Sequence, residues 1–164
     1  MVEIRKAGSA DLPQIQAIVY ETWPVAYGEI LSKAQLEYML ETFYNLSALE
    51  QTMATGQDFH IAFEEGIVAG FIGIQAFIDQ DELKLHKFYV LPQFQGKGIG
   101  NVLFEKAVLE AKKHGFSRFF LNVNRFNKAI QYYESKGMRI CKQEDIPIGN
   151  GYLMEDYVME LELK

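Results

Sequence analysis

Apolar and polar positions change their period several times along the 164 residues, and each change marks an element. Val2 to Lys6 alternates as a half-buried strand does. After Ser9 or Asp11 as a cap, Leu12, Ile15, Ile18, Val19 and Trp23 recur at helical spacing. Pro24 is expected to end that helix, since proline lacks the N–H and crowds the preceding turn. Ser32 followed by Gln35 has the form of a capping box, and Leu36, Met39, Leu40 and Phe43 give the next helix one apolar face. A short third helix spans Leu46 to Met53. Phe59 to Phe63 and Ile67 to Ile78 read as strands joined by the tight turn Glu64-Glu65-Gly66. Asp79-Gln80-Asp81 makes the next turn, and Leu83 to Val90 the strand after it. Gly98 to His114 is a helix with Ile99, Val102, Leu103, Ala107 and Ala111 toward the sheet and Gly115 as its stop. Arg118 to Val123 is a buried-type strand, and Asn127 to Ser135 a helix stopped at Gly137. Met138 to Ile146 and Tyr152 to Leu163 are two further strands around Gly149-Asn150-Gly151. This order predicts a mixed α/β sheet in one domain spanning residues 1–164.

One junction carries chemistry. Phe88-Tyr89-Val90-Leu91-Pro92-Gln93-Phe94-Gln95-Gly96-Lys97-Gly98-Ile99-Gly100-Asn101 reads as a strand running into a glycine-rich turn that opens a helix. A helix start leaves four backbone N–H groups unpaired and carries roughly half a positive charge, so it holds an anion without a cationic side chain. Gly98 and Gly100 let the backbone come close to a diphosphate. The dinucleotide spacing G-x-G-x-x-G fails because Asn101 occupies its last position, and the lysine-serine/threonine ending of a P-loop is absent.

A net charge of −6 argues against general nucleic-acid binding and fits a cationic substrate such as an amine. No apolar run approaches the ~20 residues of a membrane helix. The N-terminus begins directly as a strand without a signal peptide, which leads to the expectation of a soluble cytoplasmic protein. The single cysteine, Cys141, has no internal disulfide partner, and no Cys/His spacing resembles a zinc site, so no structural metal is expected.

Two motifs make the chain resemble the GCN5-related N-acetyltransferase (GNAT) superfamily over essentially its full length. Gln95-x-x-Gly98-x-Gly100 matches the family's Q/R-x-x-G-x-G/A loop and follows Tyr89-Val90-x-Pro92 as the pattern requires. Asn127-Lys128-Ala129-Ile130-Gln131-Tyr132-Tyr133-Glu134-x-x-Gly137-Met138 resembles N-x-A-I-x-F-Y-E-x-x-G-F.

The resemblance implies a mostly antiparallel sheet of about seven strands, flanked by helices and splayed between the fourth and fifth. It also implies acetyl-CoA as cosubstrate and an amine as acceptor. The pantetheine arm would pair with main-chain groups of Phe88, Tyr89 and Val90, as a peptide adds to a sheet edge. The pyrophosphate would meet N–H groups of Gly96, Lys97, Gly98, Ile99, Gly100 and Asn101, with Gln95 shaping the turn. Asn127 would contact the coenzyme and also suits a helix cap, with Asn124 as a lesser alternative. Lys97, Arg125 and Lys128 either meet phosphates or are solvated. Tyr133 would act as general acid at the thioester sulfur, whereas Tyr132 reads as packing. Backbone N–H of Val90 is the family-like oxyanion donor. Direct attack needs no acyl carrier, so Cys141 reads as a small core residue.

The base is open. Some relatives use a glutamate on the strand before the second motif, but here that strand reads Leu121-Asn122-Val123-Asn124. By alternation Glu82, Lys84 and His86 share a face, and His86 competes with a water relay for the role. His60 and His114 read as structural or exposed. Trp23-Pro24-Val25-Ala26-Tyr27 is placed where the superfamily builds its acceptor wall, with Trp23 alternatively a core anchor. Lys84-Leu85-His86-Lys87-Phe88-Tyr89-Val90 and the segment from Gly149 to Met159 are similar to the branch of polyamine and ribosomal-protein acetyltransferases. A small amine or polyamine is favoured over a protein N-terminus, and Glu155 and Asp156 are candidates to hold it. A CoA-binding regulatory module without catalysis is the reading of another class. A homodimer is common among similar folds, though nothing in the chain specifies an interface.

Overall fold

The computed structural model describes residues 1–164. Its strands are β1 (Val2–Lys6), β2 (Gln57–Glu64), β3 (Ile67–Phe77), β4 (Glu82–Val90), β5 (Arg118–Asn124), β6 (Arg139–Gly149) and β7 (Tyr152–Glu162). Its helices are α1 (Leu12–Tyr27), α2 (Lys33–Phe43), α3 (Leu46–Ala54), α4 (Ile99–Lys113) and α5 (Ala129–Ser135). The strands form one mixed sheet in the order β1-β2-β3-β4-β5-β7-β6. Every neighbouring pair is antiparallel except β4 and β5, which run parallel and are joined through α4. A parallel pair needs such a crossover because a hairpin cannot reverse the chain twice.

Each face of the sheet buries its own cluster. On one side Leu103, Phe104, Ala107 and Ala111 of α4 and Tyr133 of α5 meet Leu83, Leu85, Phe119 and Leu121. On the other, Leu12, Ile15, Val19 and Trp23 of α1, with Leu36, Leu40 and Leu49, meet Phe59, Ile61 and Phe71. No helix is long and apolar enough to cross a membrane.

Local chemistry explains most boundaries. Ser32 accepts a hydrogen bond from the Gln35 N–H at 3.1 Å, and Asn45 from the Ala48 N–H at 2.8 Å, capping α2 and α3. Gln35 does not complete the expected capping box; its side chain instead donates to the Leu153 carbonyl at 2.9 Å and ties α2 to β7.

Several expectations are corrected. α1 continues through Pro24 to Tyr27. Pro24 lies on the exposed side, where solvent can serve the carbonyl that loses its helical donor, while Trp23 packs edge-on against Tyr27 at 5.0 Å and holds the last turn. Val102 and Phe43 are 39% and 37% exposed, and Phe104 and Val108 are buried on α4 in addition to the expected residues. Cys141 is exposed instead of core. It lies on the edge strand, where its thiol donates to the Val158 carbonyl and accepts from Arg118.

Candidate active site

The parallel pairing of β4 with β5 covers only Glu82–Leu85 against Arg118–Leu121. Beyond Leu85 the strands part, and a cleft of about 940 Å³ opens between them. Its walls come from β4 (His86 to Val90), β5 (Leu121 to Val123), the loop into α5 (Phe126 to Lys128), Tyr133, and Val25 to Tyr27 of α1. Arg118 clasps the closed end, reaching Glu82 on β4 and Glu160 on β7 at 2.8 Å each.

A bulge decides what β4 shows to the cleft. Gly73 pairs with Lys87 but Ile74 pairs with Leu85, so His86 is the extra residue. Up to Leu85 the odd-numbered residues face α4, and after the bulge Phe88 and Val90 do so, while Tyr89 joins the opposite cluster. The simple alternation of Glu82, Lys84 and His86 therefore breaks at His86, and Lys87, which sequence reasoning passed over, lines the cleft. No residue type in the stretch announces the bulge.

Main-chain direction follows the same register. The Leu91 N–H donates to Ala69 O at 2.8 Å, toward β3. Alternation then turns the N–H and C=O of Phe88 and Val90 to the open edge, and those of Tyr89 to β3. Of the three residues expected to pair with a ligand, Phe88 presents its N–H and C=O to the open edge and Val90 its N–H. Gln95 donates its side-chain amide to the Val90 carbonyl at 3.2 Å and so binds the turn to the strand end.

In the turn, Gly96 and Gly98 have φ of +80° and +82°, and a Cβ at either would meet nothing. Their requirement is conformational. Gly98 is the residue before α4, so the N–H groups of Ile99, Gly100 and Asn101 open the helix without partners from a side chain. Gly100 has ordinary helical backbone, and a Cβ there would rest 3.6 Å from Phe88 Cζ. Lys97 lies over the Phe94 ring at 5.5 Å, and Asn101 accepts from the Tyr132 hydroxyl at 3.2 Å. Asn127 accepts from the Ala129 N–H at 2.8 Å in an Asx turn that leads into α5, whose cap position is Lys128, and also lines the cleft.

Tyr133 is buried beside Phe88 and Phe104. Burial, with smaller effects from Tyr27 and Tyr132, raises its pKa, so the phenol stays protonated. Tyr89 and Tyr27 on the opposite wall are likewise held well above the ordinary tyrosine range, first by burial and then by a neighbouring phenol, Tyr44 for Tyr89 and Tyr89 for Tyr27. Trp23 is buried behind them, 5.1 Å from Tyr44.

His86 pairs its Nε2 with the Gln75 amide oxygen at 2.9 Å. Burial and the neighbouring Lys84 and Lys87 lower its pKa to about 3. Burial also lowers Lys87 to about 8, although its ammonium donates to Gln57 at 2.6 Å and lies 5.6 Å from the Tyr44 and Phe59 rings. Glu155 is exposed and within 3.9 Å of Arg125, whereas Asp156 is buried. Arg125 also pairs with Asp145, and Lys128 lines the cleft mouth. The arrangement is a cleft with free strand-edge groups, a helix start without a side-chain cap and a protonated phenol.

The acetyltransferase (GNAT) domain family matches residues 28–161. A spermidine N(1)-acetyltransferase of Thermoplasma acidophilum is 28% identical over 160 residues, covering 94% of this chain and 96% of that one. The crystal structure of the PaiA N-acetyltransferase from Thermoplasma acidophilum in complex with coenzyme A superposes with a TM-score of 0.83 at 25% identity, covering 99% of each chain. The ribosomal-protein-S18-alanine N-acetyltransferase of Escherichia coli shares the fold, with a TM-score of 0.76 at 22% identity over 99% of this chain and 94% of that one. With the family pattern spanning the cleft, its glycine turn and both flanking strands, β4 and β5, the chain belongs to the GNAT acetyltransferases.

Proposed function

We propose that the protein transfers the acetyl group of acetyl-CoA to a primary amine by direct attack in a ternary complex, with a small amine or polyamine as acceptor. One observation carries the reading: the gap beyond Leu85, with a free amide edge on β4 and the Gly96–Gly98 turn at its end. The slot suits a pantetheine arm entering as a missing strand, with Phe88 and Val90 as main-chain partners and the start of α4 facing the diphosphate. The coenzyme complex of the similar Thermoplasma protein supports the same assignment.

In this reading the amine attacks the thioester carbonyl and the Val90 N–H faces the developing oxyanion. Tyr133, kept protonated by burial, gives its proton to the departing sulfur. The depressed pKa of His86 counts against it as the base, because a group that weak holds a proton poorly at neutral pH. The polyamine preference is supported by the spermidine-acetylating relative and the acidic net charge.

Release of free coenzyme A thiol, followed with acetyl-CoA over polyamines, amino acids and peptides, tests the proposal. Turnover on spermidine or small amines is the expected result. Activity on peptides alone would reassign the acceptor to a protein N-terminus, and coenzyme binding without turnover on any amine would make the chain a CoA-binding module.

A further inference from the structure

One buried carboxylate oxygen lacks any hydrogen-bond partner: Oδ1 of Asp156. Asp156 is 6% exposed, and its other oxygen accepts from the Asn122 amide at 3.3 Å. Leaving a buried carboxylate half-satisfied is costly, so such an atom calls for a donor that arrives with a ligand. Asp156 lies on β7 directly opposite Asn124 of β5, on the stretch of β5 that β4 has abandoned. Asn122, which holds it, lines both the main cleft and a second polar cleft of about 470 Å³ on the same sheet.

We infer that Asp156 is the carboxylate that receives the acceptor nitrogen and takes its proton, directly or across one water. The inference rests on the acetyl-transfer reading above. It fills the role that His86 is too weakly basic to fill and that the carboxylate-free strand Leu121–Asn124 leaves vacant. The charged and titratable groups around Asp156 are Lys84 from β4, Arg125 after β5, Glu144 from β6 and Tyr27 from α1. Glu144 is engaged by Lys142 at 3.0 Å and Arg125 by Asp145. Tyr27 stays neutral. Asp156 is thus the buried carboxylate still able to accept a donor.

The protons balance. The acceptor enters as an ammonium and loses one proton to Asp156, which becomes a carboxylic acid. The freed lone pair forms the C–N bond, and the C–S bond breaks with its electron pair on sulfur. The thiolate takes the Tyr133 proton, and the phenolate is restored by the proton that the new amide nitrogen sheds. Asp156 then returns its proton to solvent as product leaves.

Thiol release at saturating acetyl-CoA, compared between spermidine and methoxyamine, tests the assignment. Spermidine is protonated at neutral pH and needs a base; methoxyamine, a much weaker base, is almost wholly free amine there. Asp156→Asn is expected to keep coenzyme affinity by calorimetry, to lose about 100-fold in kcat on spermidine, and to lose only a few-fold on methoxyamine. Equal losses on both amines, or none on either, would overturn the inference. Should that variant fail to fold, the wild-type kcat profile decides: an acidic limb with spermidine that is absent with methoxyamine supports it, and no such difference overturns it. A wild-type chain that binds coenzyme yet acetylates neither amine nor any peptide would overturn the acetyl-transfer reading itself. An active wild type indifferent to Asp156→Asn would remove this inference alone.

Discussion

Gly70 of β3 pairs directly with Val90 of β4, and a Cβ at Gly70 would stand 3.0 Å from Val90 Cα and 2.5 Å from the Tyr89 carbonyl oxygen. Both obstacles are backbone and cannot swing aside. The close approach therefore fixes the end of β4, where the free amide of Val90 lies. Gly70→Ala is expected to destabilise the fold by about 1–3 kcal/mol through forced strand separation. It should also weaken coenzyme A binding. Thermal unfolding with calorimetry checks both, and an unchanged affinity would separate this contact from the site.

The two glycines of the family loop differ in kind. Gly98 at φ +82° holds a backbone that an L side chain adopts only with strain of roughly 1–2 kcal/mol, whereas Gly100 would gain only ordinary contacts. Gly98→Ala is expected to lower stability and coenzyme affinity together, while Gly100→Ala leaves stability within about 0.5 kcal/mol. Parallel denaturant titrations of the two variants discriminate the roles.

Tyr133→Phe removes one hydroxyl from a packed aromatic cluster and leaves its rings in place. Turnover is expected to fall by about 100-fold with coenzyme affinity nearly unchanged. Stopped-flow thiol release beside equilibrium binding measures the two separately. A fall in affinity matching the fall in turnover would assign the phenol to binding.

Arg118 ties β4, β5 and β7 at the closed end of the gap through Glu82 and Glu160. Arg118→Met leaves Glu82 without that partner and is expected to cost about 1.5–3 kcal/mol in urea unfolding. Arg118→Lys should recover only part of this, since an ammonium cannot span two carboxylates as the guanidinium fork does.

Asp156 carries the opposite sign. Burial raises its folded pKa above the unfolded one, so the native state keeps a proton that the unfolded chain has lost, and stability falls as pH rises through that window. At neutral pH the ionised, half-satisfied carboxylate opposes folding. Asp156→Asn is expected to raise stability by roughly 0.5–2 kcal/mol while lowering turnover on alkylamines. The gain should vanish at pH values below both pKa values, which a pH series of unfolding curves reveals.

Much of the molecule was legible in the chain. Element order follows from period changes, and the cap at Ser32 and the turn at Asn127 follow from short polar side chains that accept from nearby backbone amides, although the cap position of α5 falls one residue later, at Lys128. The Gly96-Lys97-Gly98 turn announces itself because only glycine is at ease at positive φ. These are local matters, decided within a few residues. Where expectation failed, a distant partner intervened: Trp23 and Tyr27 carry α1 past Pro24, Leu153 draws Gln35 out of its capping box, and edge placement exposes Cys141.

By itself the sequence determined that a strand would run into a glycine turn and a helix start, and that Tyr133 would follow one strand later, since period and backbone preference act between near neighbours. Only the tertiary structure decided where β4 leaves β5, which side of the sheet the residues after His86 face, and that Asp156 is buried with one oxygen unmatched. A bulge and a strand separation are settled by pairing between segments far apart in the chain. Their energies depend on the register of the whole sheet, and no single stretch of residues holds that information.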